Sequence, residues 1–299
     1  MRSRIVRDFL LLGDPGDEAA MHDQMHRLPE RLSGKVDVRS VHRGDALLVR
    51  PDGYIDLPII LGRDVCGTVE DNSGTSGEVM ALLNWGAGGY AEIVAVPEAL
   101  CVPKPGNLSA VEAAAVPLAA MTAWQGLFDH GQLQKGQRVL IHAGSGGVGH
   151  FAVQLAATRG STVISTASKD NLDFVKSLGA ETVIDDQSQR FEEVVSEVDV
   201  VFDLVGGETR ERSWKVLRRG GILVSTLGQP SETEAAKHGV RAKGYMTEPN
   251  GAQLAQIGGL IEAGQVRSVV TKTFKLAEAA SAQRYLEQQH PPGKIVLEV

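Results

Sequence analysis

Apolar residues recur along this chain with two different periods, and the change between them divides it. Between residues 36 and 104 the apolar runs are short and broken by glycine: Val36-Asp37-Val38-Arg39, Leu57 to Leu61, Val65 to Glu70, Glu78 to Leu83 and Gly89 to Val96. Short strands separated by glycine turns predict a small barrel-like domain. Ser109-x-x-Glu112 then reads as a capping box opening a helix, and Pro117 should break or kink the apolar stretch that follows, because it has no N–H to donate. A second helical piece covers about Ala119 to Leu127.

From there strands and helices alternate. Arg138 to His142 is an apolar strand, and Val148, Phe151, Ala152, Leu155 and Ala156 share one helical face. Ser161 to Ser165 is the next strand; Leu172, Val175 and Leu178 mark a helix closed by Gly179; Thr182 to Ile184 and Val198 to Val205 are strands. Arg210 to Arg219 reads as a helix with Trp214 and Leu217 inward and Gly220 as its stop, before a strand over Ile222 to Leu227. The alternation predicts an α/β fold with a parallel, doubly wound sheet. The polar gap between Gly228 and Val240 predicts a mobile loop over the site. Asn250-x-x-Gln253 caps a helix closed by Gly264, and Val269 to Phe274, Leu276 to Leu286 and Lys294 to Val299 add a strand, a helix and a strand. Near the start, Met21 to Leu32 forms a short helix interrupted by Pro29. His22 and His26 lie one turn apart on it and read as solvent-facing, since no cysteine or third histidine nearby completes a metal site.

One stretch carries chemistry. Gly144-x-Gly146-x-x-Gly149 falls directly between a predicted strand and a predicted helix, which is the context a dinucleotide fingerprint requires. Gly144 permits the tight turn, Gly146 lets backbone approach a pyrophosphate, and Gly149 lets the helix pack close to the strand. The free N–H groups at the helix start then face the phosphates. About 20 residues beyond the glycines, an NAD site usually carries an acid for the ribose 2′-hydroxyl. Here Thr166 stands there, followed by Ser168 and Lys169. A neutral residue removes repulsion against a 2′-phosphate, Ser168 can donate to it and Lys169 supplies charge, so NADP is favoured over NAD.

Composition narrows the class. The chain has 299 residues, enough for two domains, with 42% hydrophobic and 22% charged residues. A formal net charge of −7 argues against nucleic acid or an acidic membrane as partner. No apolar run approaches the roughly 20 residues of a membrane span, and Phe9 to Leu12 is too short for a signal peptide core, so a cytoplasmic protein is expected. Two cysteines, Cys66 and Cys101, provide neither a disulfide framework nor a four-cysteine zinc site.

Taken together, these strings resemble the zinc-independent medium-chain dehydrogenases/reductases of the quinone oxidoreductase and alkenal reductase branch. The resemblance rests on LPIILGRDVCGTVE (57–70), GGYAEIVAVP (88–97), AAAVPLAAMTAWQGL (113–127), VLIHAGSGGVGHFAVQLA (139–156), SLGAETVID (177–185), VDVVFDLVGG (198–207), RRGGILVSTLG (218–228) and GKIVLEV (293–299). It implies a Rossmann dinucleotide-binding domain, residues 120–264, and a GroES-like β-barrel substrate domain, residues 1–119 plus 265–299, with the nicotinamide in the cleft between them. Residues 1–40 are atypical for the family's opening strands, and Glu70 to Glu78 is shorter than the usual loop and strand. Relatives are commonly dimers joined through the Rossmann sheet edge, so a homodimer is expected.

The resemblance also implies a site. Zinc-dependent relatives carry a histidine where Arg63 stands; no cysteine lies near residues 40–46 to give the first ligand; and the four-cysteine lobe is absent. No metal is therefore expected, and alcohol oxidation, which leans on a Lewis acid, is disfavoured. The implied reaction is hydride transfer from NADPH to a quinone or to the β-carbon of an enal or enone. The cofactor site takes in Thr122, Gly144, Ser145, Gly146, Gly147, Val148, Gly149, Thr166, Ser168, Lys169, Val205, Leu227 and Gly228. Negative charge builds on the acceptor oxygen, so a donor should face it; Tyr54, in a D-G-Y turn, and His42, near a position where relatives often carry asparagine, are the candidates. His142 and His150 flank the glycines and read as structural. Asp186 stands where many NADP-binding relatives have a tyrosine, with Arg190 nearby as a compensating charge. Two other readings stay open: a non-catalytic NADPH-binding redox sensor, suggested by the altered N-terminus, and an enoyl-thioester reductase, which would need a basic patch for its carrier.

Overall fold

The computed structural model describes residues 4–6, 9–12, 60–70 and 76–299. His42, Tyr54, the Met21–Leu32 helix, the Val36 strand and most of the run from Leu57 lie outside the described residues. Six strands build the first sheet: β1 (Arg4–Val6), β2 (Phe9–Leu12), β3 (Asp64–Glu70), β4 (Ser76–Leu82), β5 (Val94–Pro97) and β6 (Val102–Pro103), in the order β5-β2-β1-β3-β4-β6. All its pairings are antiparallel except β1 with β3. Val65, Ala81, Leu83, Val94 and Val96 form a small core of their own on it. The expected strand over Gly89 to Val96 starts only at Val94. Gly62 and Gly89 explain the difference: a Cβ on Gly62 would lie 2.9 Å from the Gly89 carbonyl carbon, so two backbones touch there and the segment turns instead of pairing.

The capping box forms as expected. Ser109 Oγ accepts from Glu112 N, and the Glu112 carboxylate accepts from Ser109 N at 2.9 Å, opening helix α1 (Ala110–Ala114). Pro117 ends that helix by starting another, α2 (Pro117–Trp124), where its missing N–H costs nothing at the first position. A π-helical segment, Gln125–His130, prolongs it.

The second sheet is parallel, with strands β7 (Arg138–Ile141), β8 (Thr162–Ala167), β9 (Thr182–Asp185), β10 (Val198–Asp203), β11 (Leu217–Ser225) and β12 (Arg241–Gly244) in the order β12-β11-β10-β7-β8-β9. The order reverses at β7, as in a doubly wound sheet, and ligands bind in such folds at the carboxyl ends of the strands beside that switch. Alternate residues serve opposite faces. Val139, Ile141, Val200 and Phe202 join one core with helices α2 and α3 (Gly149–Thr158), whereas Leu140, Ile164, Val201 and Leu223 join another with Phe191 and Trp214. Helix α3 is buried on every side from Gly149 to Ala156, beyond the single face its periodicity predicts, because α2 covers the side away from the sheet.

Helices α4 (Leu172–Ser177), α5 (Phe191–Val194), α6 (Gly207–Ser213), α7 (Glu232–His238) and α8 (Gly251–Glu262) complete this layer. Two expectations are corrected here. The helix expected over Arg210 to Arg219 is α6 plus a short 3-10 turn, and Leu217 already belongs to β11. Gly220, at φ +78°, marks an irregularity early in that strand and not a helix stop. The expected mobile loop between Gly228 and Val240 is a helix. Ser231 caps α7 by accepting from Glu234 N, Gly239 closes it in the left-handed conformation, and Ala235 sits in the core. Beyond α8, capped by Asn250 as expected, β13 (Val270–Lys275) and β14 (Lys294–Glu298) pair in parallel, joined by α9 (Ala279–Gln289), which starts later than its sequence pattern suggests.

Candidate active site

The chain leaves β7 through a turn with few free choices. Ala143 adopts φ +54°, a conformation that L side chains rarely take, and the surrounding hydrogen bonds hold it there. His142 N donates to Phe202 O at 3.1 Å, Gly144 N to Thr166 O at 2.9 Å and Gly146 N to Ala143 O at 3.0 Å. The three glycines differ in why they are needed. A Cβ on Gly144 would lie 2.0 Å from Ser165 Oγ, and one on Gly149 would lie 2.1 Å from Ala143 O. Gly146 is different: its nearest neighbour would be Ala143 O at 3.4 Å, so its open side faces space and not protein. Among the described residues no backbone carbonyl takes the N–H groups of Ser145, Gly147 or Val148. These donors, at the positive end of α3, form a cradle suited to an anion. The cradle fits the pyrophosphate of a dinucleotide.

It opens into a cavity of about 850 Å³, walled by Leu61 to Asp64, the start of α2 and the chain from His290 to Leu297. Leu118, Val148, Leu204, Leu286 and Ile295 make much of the wall apolar. Arg63 lines it as well. Its guanidinium donates to Leu83 O and to Thr247 O, both at 3.1 Å, and faces Trp85 with 5.7 Å to the ring centroid. Burial pulls the Arg63 pKa down, opposed by neighbouring Asp64. Thr247 in turn pairs through its hydroxyl with Thr122 Oγ1 at 2.6 Å, and Thr122 also donates to Leu118 O. Thr122 is therefore buried inside a hydrogen-bonded seam behind the cavity wall.

Thr166 is buried too. Its hydroxyl oxygen accepts from Ala143 N at 3.2 Å, bracing the strained residue ahead of the glycines. The hydroxyl proton then points to His142 Nδ1, 3.3 Å away, and the other ring nitrogen, Nε2, lies 2.9 Å from Ser213 Oγ. Ser213 spends its own proton on Thr209 O, so His142 carries its proton on Nε2. Burial holds His142 neutral, its pKa pushed down to about 4. His150 is likewise pushed down to about 4 by burial; its Nδ1 donates to Gly146 O at 3.0 Å, and its buried Nε2 has no partner among the described residues. Both histidines brace the cradle.

Past β8, Ser168 accepts from Asn171 Nδ2 at 2.9 Å, and Lys169 is exposed beside it. Asp186, whose amide donates to Ala167 O, has its pKa raised by burial and by Asp185. Val205 and Leu227 stand at the carboxyl ends of β10 and β11 with 47% and 50% of their surface exposed, unusual for large apolar side chains, and Gly228 turns away at φ +86°. Their chain neighbours Leu204 and Thr226 line the cavity. Cys66 and Cys101 stay thiols, pushed up to about 12 by burial. Among the described residues no cluster of three or more histidine, cysteine or carboxylate side chains is placed to hold a metal, and no helix is long and apolar enough to cross a membrane.

Sequence reasoning missed two charged cavity residues, Asp64 and Lys294, with Asp64 Oδ2 3.6 Å from Lys294 Nζ. Their one signal was the polar pair Gly293-Lys294 ahead of an apolar terminal strand, which says nothing of where that strand docks.

Known proteins place this architecture. Residues 178–297 match a family described as zinc-binding dehydrogenase. The chain is 32% identical to the mouse (Mus musculus) NAD(P)H oxidoreductase RTN4IP1, mitochondrial, over 88% of this chain and 78% of that protein. It is 36% identical to the NADPH-dependent alkenal/one oxidoreductase, chloroplastic, of Arabidopsis thaliana, over 70% of this chain. The solved quinone oxidoreductase of Coxiella burnetii superposes with a TM-score of 0.75 at 36% identity, covering 82% of this chain and 80% of that one. The chain belongs to the medium-chain dehydrogenase/reductase family, on its quinone oxidoreductase and alkenal reductase side. It spans between 52% and 64% of the length of three of the curated relatives it matches, the plant protein among them at 53%.

Proposed function

We propose that this protein is an NADPH-dependent reductase that passes hydride to a quinone or to the β-carbon of an α,β-unsaturated aldehyde or ketone, without zinc. The observation that carries the reading is the cradle of N–H groups at Ser145, Gly147 and Val148, which no backbone carbonyl among the described residues takes, opening through Gly146 into a largely apolar cavity. NADPH, when bound, supplies the hydride from its nicotinamide ring. The chain's own residues hold and orient it. The three amides take the pyrophosphate, Ser168 and Lys169 the 2′-phosphate, and Val205 and Leu227 give it an apolar edge, while Thr122 and Thr166 stiffen the floor. Similarity to the plant NADPH-dependent alkenal/one oxidoreductase supports the choice of cofactor and acceptor.

Zinc independence is supported by Arg63. A guanidinium has no lone pair to offer a metal, and two carbonyls already occupy it where zinc-dependent relatives carry a histidine. Charge developing on the acceptor oxygen is then met by a hydrogen-bond donor, for which Tyr54 and His42 are proposed. In this reading residues 120–264 carry the cofactor, and residues 1–119 with 265–299 shape the acceptor pocket. A homodimer through the β12 edge is part of it, supported by Met246, 71% exposed just beyond that strand. The test is NADPH oxidation with a benzoquinone series and with short 2-alkenals, each with and without a strong chelator. Turnover with one class that survives the chelator is expected. Absence of turnover with both, or turnover abolished by chelation and restored by zinc, overturns the proposal.

A further inference from the structure

The end of the chain reaches the cofactor cradle. Gly293 N donates to Ser145 O at 2.8 Å, so the turn entering β14 is hydrogen-bonded to the glycine loop itself. Gly293 can do this because it adopts φ +70° with its α-carbon hard against the backbone just ahead of β13; a Cβ there would lie 2.4 Å from Val269 O. The next residue, Lys294, donates its amide to Val269 O at 2.9 Å and runs its side chain over the loop. A Cβ on Gly147 would come within 3.0 Å of Lys294 Cδ. The ammonium ends 3.6 Å from Asp64 Oδ2, with both side chains about one-fifth exposed and both lining the cavity. Asp64 is itself fixed, since Oδ1 accepts from Leu118 N at the start of α2.

A pyrophosphate brings two negative charges to this place, and the cradle's amides offer only dipoles. The chain as a whole is anionic, at −7, so charge must be met locally. Among the described lining residues the lysine and arginine side chains are Arg63 and Lys294. Arg63 is committed to Leu83 O and Thr247 O. Lys294 lies against Gly147.

We infer that Lys294 supplies the cation that neutralises the pyrophosphate of the dinucleotide, with Asp64 holding the ammonium in position beside Gly147. The inference rests on the cofactor reading above and adds to it a residue from the far end of the sequence. A lysine suits the task because its flexible stem lets the ammonium swing from carboxylate to phosphate without moving backbone.

Lys294→Gln, which keeps most of the stem and removes the charge, is the test. Protein fluorescence titrations with NADPH and with NADH are run on it, on the unaltered protein and on Lys169→Ala. Both cofactors should bind Lys294→Gln more weakly, by about tenfold or more and by the same factor, the value of one charge-assisted hydrogen bond. The salt dependence of binding should flatten in that variant, and Lys294→Arg should recover most of the affinity. Lys294→Met replaces the glutamine variant if the latter's thermal melt is lost. Unchanged affinity in a folded variant overturns the inference and leaves the cofactor reading standing. A loss confined to NADPH also overturns it, by placing the ammonium on the 2′-phosphate. If the unaltered protein binds neither dinucleotide, the cofactor reading itself fails and takes this inference with it.

Discussion

Arg210 Nε donates to Asp203 Oδ2 at 2.8 Å, and Asp203 has no exposed surface. The carboxylate also accepts from Val205 N, Gly206 N and Ser225 Oγ, so it organises the loop that presents Val205 at the end of β10. Burial alone would raise its pKa, but the hydrogen bonds from Gly206, Arg210 and Ser225 outweigh that and hold it below the usual range. A carboxylate with a depressed folded-state pKa stabilises above its unfolded pKa, about 3.9, and loses that contribution as pH falls through the folded value. Asp203→Asn should therefore cost about 3–5 kcal/mol at neutral pH, by leaving the Arg210 guanidinium without its counter-charge. In urea unfolding, the gap between variant and unaltered protein should narrow below about pH 4. A gap that stays constant with pH would rule out the ion-pair account.

The glycines of the cradle should separate into two kinds. Gly144→Ala drives a methyl into Ser165 Oγ and Gly149→Ala drives one into Ala143 O, so both variants should lose several degrees of thermal stability or fail to fold. The Cβ of Gly146→Val meets only Ala143 O, at 3.4 Å, and the variant should melt close to the unaltered protein. It should nevertheless lose dinucleotide binding, because the valine fills the space into which the pyrophosphate settles. Melting curves beside NADPH titrations separate the two; retained affinity in Gly146→Val contradicts the assignment of the cradle.

Lys169 is exposed beside Ser168 at the end of β8, with Asp170 next in sequence. Lys169→Ala should weaken NADPH by about tenfold while leaving NADH nearly unchanged, because only the former carries a 2′-phosphate. Equal losses for the two cofactors would remove Lys169 from that role.

His142 and His150 make acid stability a sensitive readout. Both have folded-state pKa values of about 4, pushed down by burial, against about 6.5 unfolded. Between those values the unfolded chain binds protons that the folded chain refuses, so stability falls as pH drops through that window, by about 1.4 kcal/mol per unit for each histidine. Below the folded value the contribution levels off. Denaturant titrations from pH 7 to pH 4 should show this slope, and His142→Gln should remove about half of it. An unchanged slope would mean that His142 is not buried neutral.

Local signals proved the most legible. Ser109 and Glu112 cap α1, Asn250 caps α8, Pro117 begins a helix and Gly179 follows the end of one, because each acts through atoms within about one turn of itself. The strand, glycine turn and helix around residue 144 were visible for the same reason, and with them the parallel α/β class. Where a residue's state depends on what packs over it, the pattern misled. Leu217 looked like the inner face of a helix, yet pairing with Val198 draws it into β11. The polar stretch after Gly228 looked like an open loop, yet Ser231 and Gly239 cap a helix around the single apolar anchor Ala235, too little apolar content to register as a period.

By itself, then, the sequence determined that a strand, a glycine turn and a helix build the cradle, since hydrogen bonding and backbone strain in a turn are set by neighbours along the chain. Tertiary structure alone decided which side of that cradle each distant residue faces. Thr166, expected at the ribose edge, turns inward to brace Ala143, and Lys294, which no periodicity singled out, arrives against Gly147 beside Asp64. The reason is geometric: a parallel sheet and a returning terminal strand bring together residues separated by most of the chain, and no local pattern encodes the register at which they meet.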